Sequence, residues 1–132
     1  MKDHESVHSL SLSPKEGMVY KKFLRKWQEE IIYFLLVDRF HDGKKREPVS
    51  SKARGYGSEV ELNKICGGNL KGVKEKLDYI QALGCTAIWL SPVFENNQES
   101  YHGYAHQNFL KIDPRFGSVE DLCDLIEEAH KK

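Results

Sequence analysis

A short aromatic segment with a histidine offers the clearest chemistry in this chain. Tyr101, His102 and Tyr104 come shortly after an apolar run, 85–93, that predicts a buried strand. Flat aromatic rings stack on sugar faces, and an imidazole can donate a hydrogen bond to a hydroxyl group. The segment therefore fits a neutral, polyhydroxylated ligand, or else an aromatic loop that only packs over the end of a sheet.

Other groups of chemically active residues have a simpler interpretation. His102 and His106 are four apart, but Gly103 lies between them and the sequence offers no third metal ligand. Gly67-Gly68 before a helix could cradle a phosphate, yet it matches neither GxGxxG nor the GK[ST] of a P-loop, so a tight turn is favoured. The histidine and aspartates of 38–42 could mark a site, but they are equally typical of a turn.

Composition excludes several kinds of partner. The 132 residues carry 20 basic and 20 acidic side chains, so no net charge favours nucleic acid or an anionic membrane. The apolar run 31–37 is too short to cross a bilayer, and the first residues lack the apolar stretch of a secretory signal. Three widely spaced cysteines favour free thiols in a reducing compartment. We therefore expect no nucleic-acid partner, no membrane partner and a cytoplasmic location.

The first half of the chain predicts an arm, a strand and a long loop. Residues 1–30 predict a polar N-terminal arm that ends in a short amphipathic helix. The apolar segment 30–40 predicts a strand buried on both faces, as in a parallel sheet covered by helices. Residues 41–66 form a polar loop whose length is usual for functional loops.

The second half predicts helix, strand, loop and helix. Asn69 is a good N-cap for a helix that Gly84 ends, and the strand 85–93 follows. A loop over 101–117 contains an extended segment, 108–112. The first helix has an apolar face at Leu70, Val73, Leu77, Ile80 and Leu83. A last helix has its apolar face at Leu122, Leu125, Ile126 and Ala129. Ser118 and Asp121 form a capping box at the start of this last helix.

Strands that alternate with helices predict an α/β fold with a parallel sheet and right-handed crossovers. Two parallel strands alone leave both edges unpaired and their apolar faces uncovered. The pattern therefore requires more strands than these 132 residues supply.

Several of these segments together resemble the α-amylase family of glycoside hydrolases, family 13. Segment 31–40 resembles the first strand of the catalytic barrel, 66–72 the turn into its first helix, and 77–93 the rest of that helix with the second strand. Residues 101–104 and 112–118 complete the pattern in the family's order and spacing. The resemblance implies the first two β/α units of a (β/α)8 TIM barrel, incomplete in this chain.

The resemblance also implies a retaining enzyme that acts on α-linked glucans, with maltooligosaccharides as substrates. Tyr104 is implied to stack on the sugar beside the scissile bond, and His102 to hydrogen-bond the same sugar. Lys71 matches a position where some relatives contact the substrate through a glutamine. The family's two catalytic carboxylates, which retaining hydrolysis needs about 5–5.5 Å apart, come from later strands, so no catalytic residue is expected in this chain.

A degraded calcium site is a further implication of the resemblance. Asp42 and Asn69 align with positions that hold calcium in certain members of the family. Asn69 replaces an aspartate, however, and Lys44 places a cation beside the ion, which weakens the case for calcium. No cofactor is expected to be required.

The leading hypothesis is that residues 31–132 are the N-terminal portion of an α-amylase-type catalytic barrel, which typically needs about 250 residues. We expect the chain alone to be inactive and poorly folded, and to be completed by the remainder of the barrel in cis or in trans. One alternative is a non-catalytic amylase-like binding or partner subunit. Another is a free-standing small α/β domain in which residues 1–30 cover the exposed sheet face.

Overall fold

The structure is a computed structural model that describes residues 26–43 and 65–132. The predictions for the N-terminal arm up to residue 25, for most of the long loop and for Lys44 lie outside these ranges. A 3-10 turn, Trp27–Glu29, precedes the first strand. The elements that follow are β1 (Ile32–Leu35), α1 (Val37–Phe40), α2 (Leu70–Glu75), α3 (Leu77–Ala82), β2 (Ala87–Leu90), β3 (Phe94–Asn96), β4 (His106–Ile112) and α4 (Val119–Lys131).

The first sheet consists of β1 and β2, which pair in parallel as predicted. Ile32 lies opposite Ala87, and Leu35 lies opposite Leu90. The chain passes from one strand to the other through α2 and α3, which is the connection that parallel strands require.

This sheet has one covered face and one exposed face. Successive side chains of a strand point to opposite faces. Leu35 belongs to the core, whereas Phe34 is 49% exposed and Trp89, its partner in the register, is 61% exposed. Their rings meet edge to face with centroids 5.5 Å apart. The prediction of burial on both faces is therefore wrong for the residues that the structure describes, because the helices cover only one side.

The predicted strand 30–40 also ends early, because the chain turns into α1 after Leu35. The Val37 N–H donates to Ser91 Oγ at 3.0 Å. Asp38 is buried, and its carboxylate accepts hydrogen bonds from the backbone N–H groups of Cys66 and Gly67. A buried carboxylate needs such donors, and the helical turn directs it towards them.

The predicted helix 70–83 is present in two parts. Asn69 is its N-cap, with Oδ1 accepting the Gly72 N–H at 2.9 Å, and Gly84 ends it with a positive φ of 83°. Lys76, at φ −104° and ψ 10°, separates α2 from α3. Leu70, Val73, Leu77 and Ile80 are buried as predicted, but Leu83 is 53% exposed because it follows the end of α3.

A second sheet was not predicted. β3 and β4 form an antiparallel ribbon, with Phe94 opposite Ile112 and Asn96 opposite His106, and the register is irregular on both sides of Glu95. The predicted extended segment 108–112 lies within β4. The polar residues after β2 therefore continue into a strand rather than into a loop.

The last helix, α4, begins at the predicted capping box. Ser118 accepts the Asp121 N–H, and the Asp121 carboxylate accepts the Ser118 N–H. Leu125 enters the core, whereas Ile126 is 44% exposed. The core of the described residues consists of Leu35, Val37, Leu70, Val73, Leu77, Ile80, Val93, Phe116 and Leu125. Among the helices of 26–43 and 65–132, none is long and apolar enough to cross a membrane.

Candidate functional site

The aromatic loop predicted from the sequence lies past the carboxyl ends of the parallel strands. Gly103, at φ +83°, packs so closely on the chain after β2 that a Cβ atom there would be 2.1 Å from the Pro92 carbonyl oxygen. The Arg39 guanidinium carbon lies 3.9 Å from the centroid of the Tyr101 ring, which ties the loop to the end of β1. Parallel α/β sheets bind ligands at this end of their strands.

The structure brings His102 and Tyr104 together in this loop. The Tyr104 N–H donates to His102 Nδ1 at 2.9 Å, and the two rings lie with centroids 5.9 Å apart. Because Nδ1 accepts a hydrogen bond, Nε2 carries the proton in the neutral imidazole. Nε2 is 3.1 Å from Ser100 Oγ, and the Tyr104 side chain is half exposed. The pair therefore offers a hydrogen-bond donor beside an accessible aromatic ring.

An ion pair that was not predicted lies beneath the loop. Asp113 is buried, and its carboxylate accepts hydrogen bonds from Arg115 Nη2 at 2.7 Å and Arg115 Nε at 3.0 Å. Burial raises the pKa of Asp113, but the hydrogen bonds and charge of Arg115 and the N–H of Asn96 outweigh it, so the pKa lies below its ordinary value. The only hint of this ion pair in the sequence is that an aspartate and an arginine, at 113 and 115, follow an extended segment. That pattern by itself indicates no more than a turn.

The turn at Gly67 and Gly68 does not resemble a phosphate cradle. Its first N–H groups, those of Cys66 and Gly67, already donate to the Asp38 carboxylate at 3.0 Å. The Gly68 N–H donates to the Asp38 carbonyl oxygen at 2.8 Å. An anion of the protein itself thus occupies the donors that a phosphate would use. The alternative of a tight turn is the one that the structure favours.

The histidines that could have formed a metal pair have separate surroundings. His106 stacks on Phe109 with centroids 4.6 Å apart, whereas His102 lies in the loop beside Tyr104. His41 accepts the Gly43 N–H through Nδ1 at 2.9 Å, as expected for the turn alternative at 38–42. Within 26–43 and 65–132, no group of three or more His, Cys, Asp or Glu side chains is placed to hold a metal ion.

Lys71 lies on the first turn of α2 and pairs with α4. Its Nζ is 3.6 Å from Asp121 Oδ1, and its side chain is 73% exposed. The predicted contact of Lys71 with a substrate stays a prediction, as do the contacts of His102 and Tyr104.

Asp42 and Asn69 are neighbours, as the predicted calcium site requires, but their contact is a hydrogen bond. Asn69 Nδ2 donates to the Asp42 backbone oxygen at 3.1 Å, while its Oδ1 caps α2 by accepting the Gly72 N–H. Calcium is held by oxygen ligands, and the amide of Asn69 turns an N–H group towards Asp42. In the described residues the Asn69 amide is used within the protein, and the calcium site at Asp42 and Asn69 stays a prediction.

Comparison with known proteins agrees with this arrangement of elements. The sequence profile described as "Alpha amylase, catalytic domain" matches residues 34–132. Alpha-amylase 2 of Dictyoglomus thermophilum is 41% identical over 134 residues, covering 96% of this chain and 22% of that protein. Alpha-amylase mde5 of Schizosaccharomyces pombe is 39% identical over 112 residues, covering 80% of this chain and 20% of that protein.

Solved structures of amylases match the fold as well. The alpha-amylase of Geobacillus thermoleovorans, complexed with acarbose, has a TM-score of 0.66 and 44% identity, covering 81% of this chain and 21% of that chain. AmyP in complex with maltose has a TM-score of 0.58 and 32% identity, covering 76% of this chain and 20% of that chain. The chain spans about a fifth of the length of these relatives. It belongs to the α-amylase family of glycoside hydrolases, and its fold is the first two β/α units of that family's (β/α)8 catalytic barrel.

Proposed function

We propose that this chain supplies the opening strands and the sugar-binding loop of a retaining glycoside hydrolase that acts on α-linked glucans such as maltooligosaccharides. Its relatives are named as α-amylases, and similar structures carry acarbose or maltose. In this proposal Tyr104 stacks on the sugar beside the scissile bond, and His102 hydrogen-bonds the same sugar.

The observation that carries the proposal is the pairing of Tyr104 with His102 beyond the end of β2. Tyr104 is 51% exposed, although the backbone on both sides of it is held by hydrogen bonds. An exposed ring on a fixed backbone presents a flat apolar face at little entropic cost, which suits the apolar face of a glucose unit. A hydrogen bond from the sugar to the His102 imidazole would then set the orientation of the sugar.

The two catalytic carboxylates are proposed to come from the remainder of the barrel, in cis or in trans. The first sheet has an exposed apolar face, on which Ile32, Phe34 and Trp89 are each about half exposed or more. Further barrel strands would pack on this side. Without these strands the loop has a sugar-binding pair but no nucleophile and no acid/base. The chain by itself is therefore proposed to be inactive.

A hybrid barrel tests this proposal. Here the hybrid barrel means alpha-amylase 2 of Dictyoglomus thermophilum with this chain in place of the segment that it matches. We expect the hybrid barrel to release reducing sugar from maltoheptaose, and the purified 132-residue chain to release none. Release of sugar by the chain alone would contradict the proposed division of the active site.

Substitution of Tyr104 in the hybrid barrel tests the sugar contact. Tyr104→Ala should lower kcat/KM for maltoheptaose roughly 10- to 100-fold, which corresponds to about 1.4–2.7 kcal/mol of transition-state stabilisation. Tyr104→Phe keeps the ring and should stay within about threefold of the parent. Tyr79→Ala is a matched control, because Tyr79 is also 51% exposed but lies on α3. Equal kinetics for Tyr104→Ala and Tyr79→Ala would remove Tyr104 from the site.

A cytoplasmic location is part of the same proposal. Cys66, Cys85 and Cys123 are joined by no disulfide bond among the described residues, as is usual in a reducing compartment. Fractionation of cells that express the tagged protein would test the location.

A further inference from the structure

We propose that Arg115 is a positioning residue for the sugar-binding loop: its guanidinium group fixes the segment 97–100 and, through Ser100, the orientation of His102 and Tyr104. This inference rests on the proposed function. Arg115 itself is assigned no contact with the substrate.

The guanidinium group of Arg115 donates to three backbone carbonyls of one short segment. Nη1 lies 2.9 Å from the Gln98 oxygen and 3.1 Å from the Ser100 oxygen. Nη2 lies 3.1 Å from the Asn97 oxygen. A turn whose carbonyl groups converge on one cation is restrained along its whole length, because each carbonyl would otherwise need its own partner or water.

Asp113 holds the guanidinium group in place. It accepts Arg115 Nη2 at 2.7 Å and Nε at 3.0 Å, and it also accepts the N–H group of Asn96 at 3.2 Å, at the end of β3. The carboxylate therefore connects the strand before the loop with the cation that closes the loop. Arginine suits this role because its planar fork directs several donors at once, which the single ammonium group of lysine cannot do.

The restraint reaches the sugar-binding pair through Ser100. The Ser100 carbonyl is bound by Arg115, and the Ser100 hydroxyl lies 3.1 Å from His102 Nε2. Nδ1 of the same ring accepts the Tyr104 N–H. A shift of the 97–100 segment would therefore rotate the imidazole and move the Tyr104 backbone with it.

A double-mutant cycle in the hybrid barrel separates positioning from a general loss of structure. Arg115→Lys should lower kcat/KM for maltoheptaose about 10-fold, because small displacements of binding groups reduce rates steeply. In a Tyr104→Ala background the same change should lower kcat/KM only about threefold, because only the contact of His102 then remains for Arg115 to position. Equal effects in the two backgrounds would overturn the inference.

Hydrogen exchange supplies a readout that does not depend on activity. In Arg115→Lys the Ser100 and Tyr104 amides should exchange about 10-fold faster. The Val73 amide lies in α2 and donates to the Asn69 carbonyl oxygen, and its exchange rate should not change. Unchanged exchange in the loop, or equal acceleration in α2, would overturn the inference. The exchange is measured in the hybrid barrel, where amide protection is read independently of activity, so an inactive hybrid, which counts against the proposed function, still leaves the role of Arg115 decided.

Discussion

The two small sheets in the described part of the chain are stabilised in different ways. The parallel pair, β1 and β2, is packed on one side and leaves Phe34 and Trp89 exposed on the other. The antiparallel ribbon, β3 and β4, closes its own loop through Asp113 and Arg115, which between them bind the backbone from Asn96 to Ser100. The first sheet leaves an apolar face uncovered, whereas the ribbon holds in place the loop that carries the proposed sugar-binding residues.

This difference separates two requirements of a barrel fold, a stable sheet and a loop of fixed shape, within one short stretch of sequence. Apolar strand faces contribute stability only when other strands cover them, because burial is roughly proportional to the area removed from water. A loop held by charge-assisted hydrogen bonds keeps its shape from contacts within a few residues. The predicted sugar-binding residues lie on the second kind of structure, which is where positional accuracy matters most.

The largest expected effect comes from testing the dependence of the parallel sheet on the rest of a barrel. Phe34→Ala should cost about 3–5 kcal/mol of unfolding free energy in the hybrid barrel, the usual cost of removing a buried phenylalanine. The ring is half exposed on the two strands of this chain, so most of that cost would come from the strands that cover it. Urea denaturation of the hybrid barrel and of its Phe34→Ala variant measures the cost.

Phe109 offers a matched control on the ribbon. It is 65% exposed and lies on β4, so Phe109→Ala should cost under about 1 kcal/mol in the hybrid barrel. A cost of Phe34→Ala no larger than that of Phe109→Ala would mean that the exposed face is not the side on which further strands pack.

A second prediction concerns the covered side of the parallel sheet. Gly72 lies in α2, and a Cβ atom there would be only 1.9 Å from the His41 backbone oxygen. Alanine normally stabilises a helix interior by about 1 kcal/mol relative to glycine. Gly72→Ala should instead destabilise the hybrid barrel by about 3 kcal/mol, because the backbone must move apart.

Gly84→Ala is the comparison for this change. Gly84 has φ +83° and no atom within 4 Å of the added Cβ, so only backbone strain of about 1–2 kcal/mol is expected. Thermal unfolding that ranks the two substitutions in the opposite order would show that α2 does not pack this closely on the end of α1.

Local rules were sufficient to predict much of this fold. The strand–helix–strand order, the N-cap at Asn69, the helix end at Gly84 and the capping box at Ser118 each depend on a few neighbouring residues, and all four are present. The predictions that were wrong involve distant partners. The helical turn α1 depends on Asp38 binding N–H groups 28 and 29 residues away, which an apolar pattern does not reveal.

The candidate site also has one part that a local pattern predicts and one part that depends on distant partners. His102 and Tyr104 could be singled out because their residue types suggest sugar binding. The support beneath them could not, because Arg115 binds backbone carbonyls, and a carbonyl is present at every residue whatever its type. The ribbon was missed for a related reason: its strand Phe94–Asn96 has only three residues, two of them polar, and only its pairing with β4 makes it a strand.

The smallest expected effect tests whether the ribbon is held by charge. The pKa of Asp113 lies below its ordinary value, so the stabilisation that its carboxylate provides is complete above the unfolded-state pKa of about 3.9 and is lost as the pH falls through the folded-state value. Asp113→Asn should therefore destabilise the hybrid barrel by about 1.5 kcal/mol at pH 6, the scale of a hydrogen bond to a charged group. The difference between parent and variant should shrink as the pH falls below 4.

Urea denaturation of parent and variant at pH 6, 4 and 3 measures this difference directly. Asp78→Asn is the control, because the Asp78 side chain is 82% exposed and its ion pair with Lys132 should contribute under about 1 kcal/mol. A cost of Asp113→Asn that stays constant from pH 6 to pH 3 would mean that the ribbon depends on the shape of the Asp113 side chain rather than on its charge. Arg115 would then position the loop through hydrogen bonds to carbonyl groups alone, and the contrast with the parallel sheet would be one of packing rather than of electrostatics.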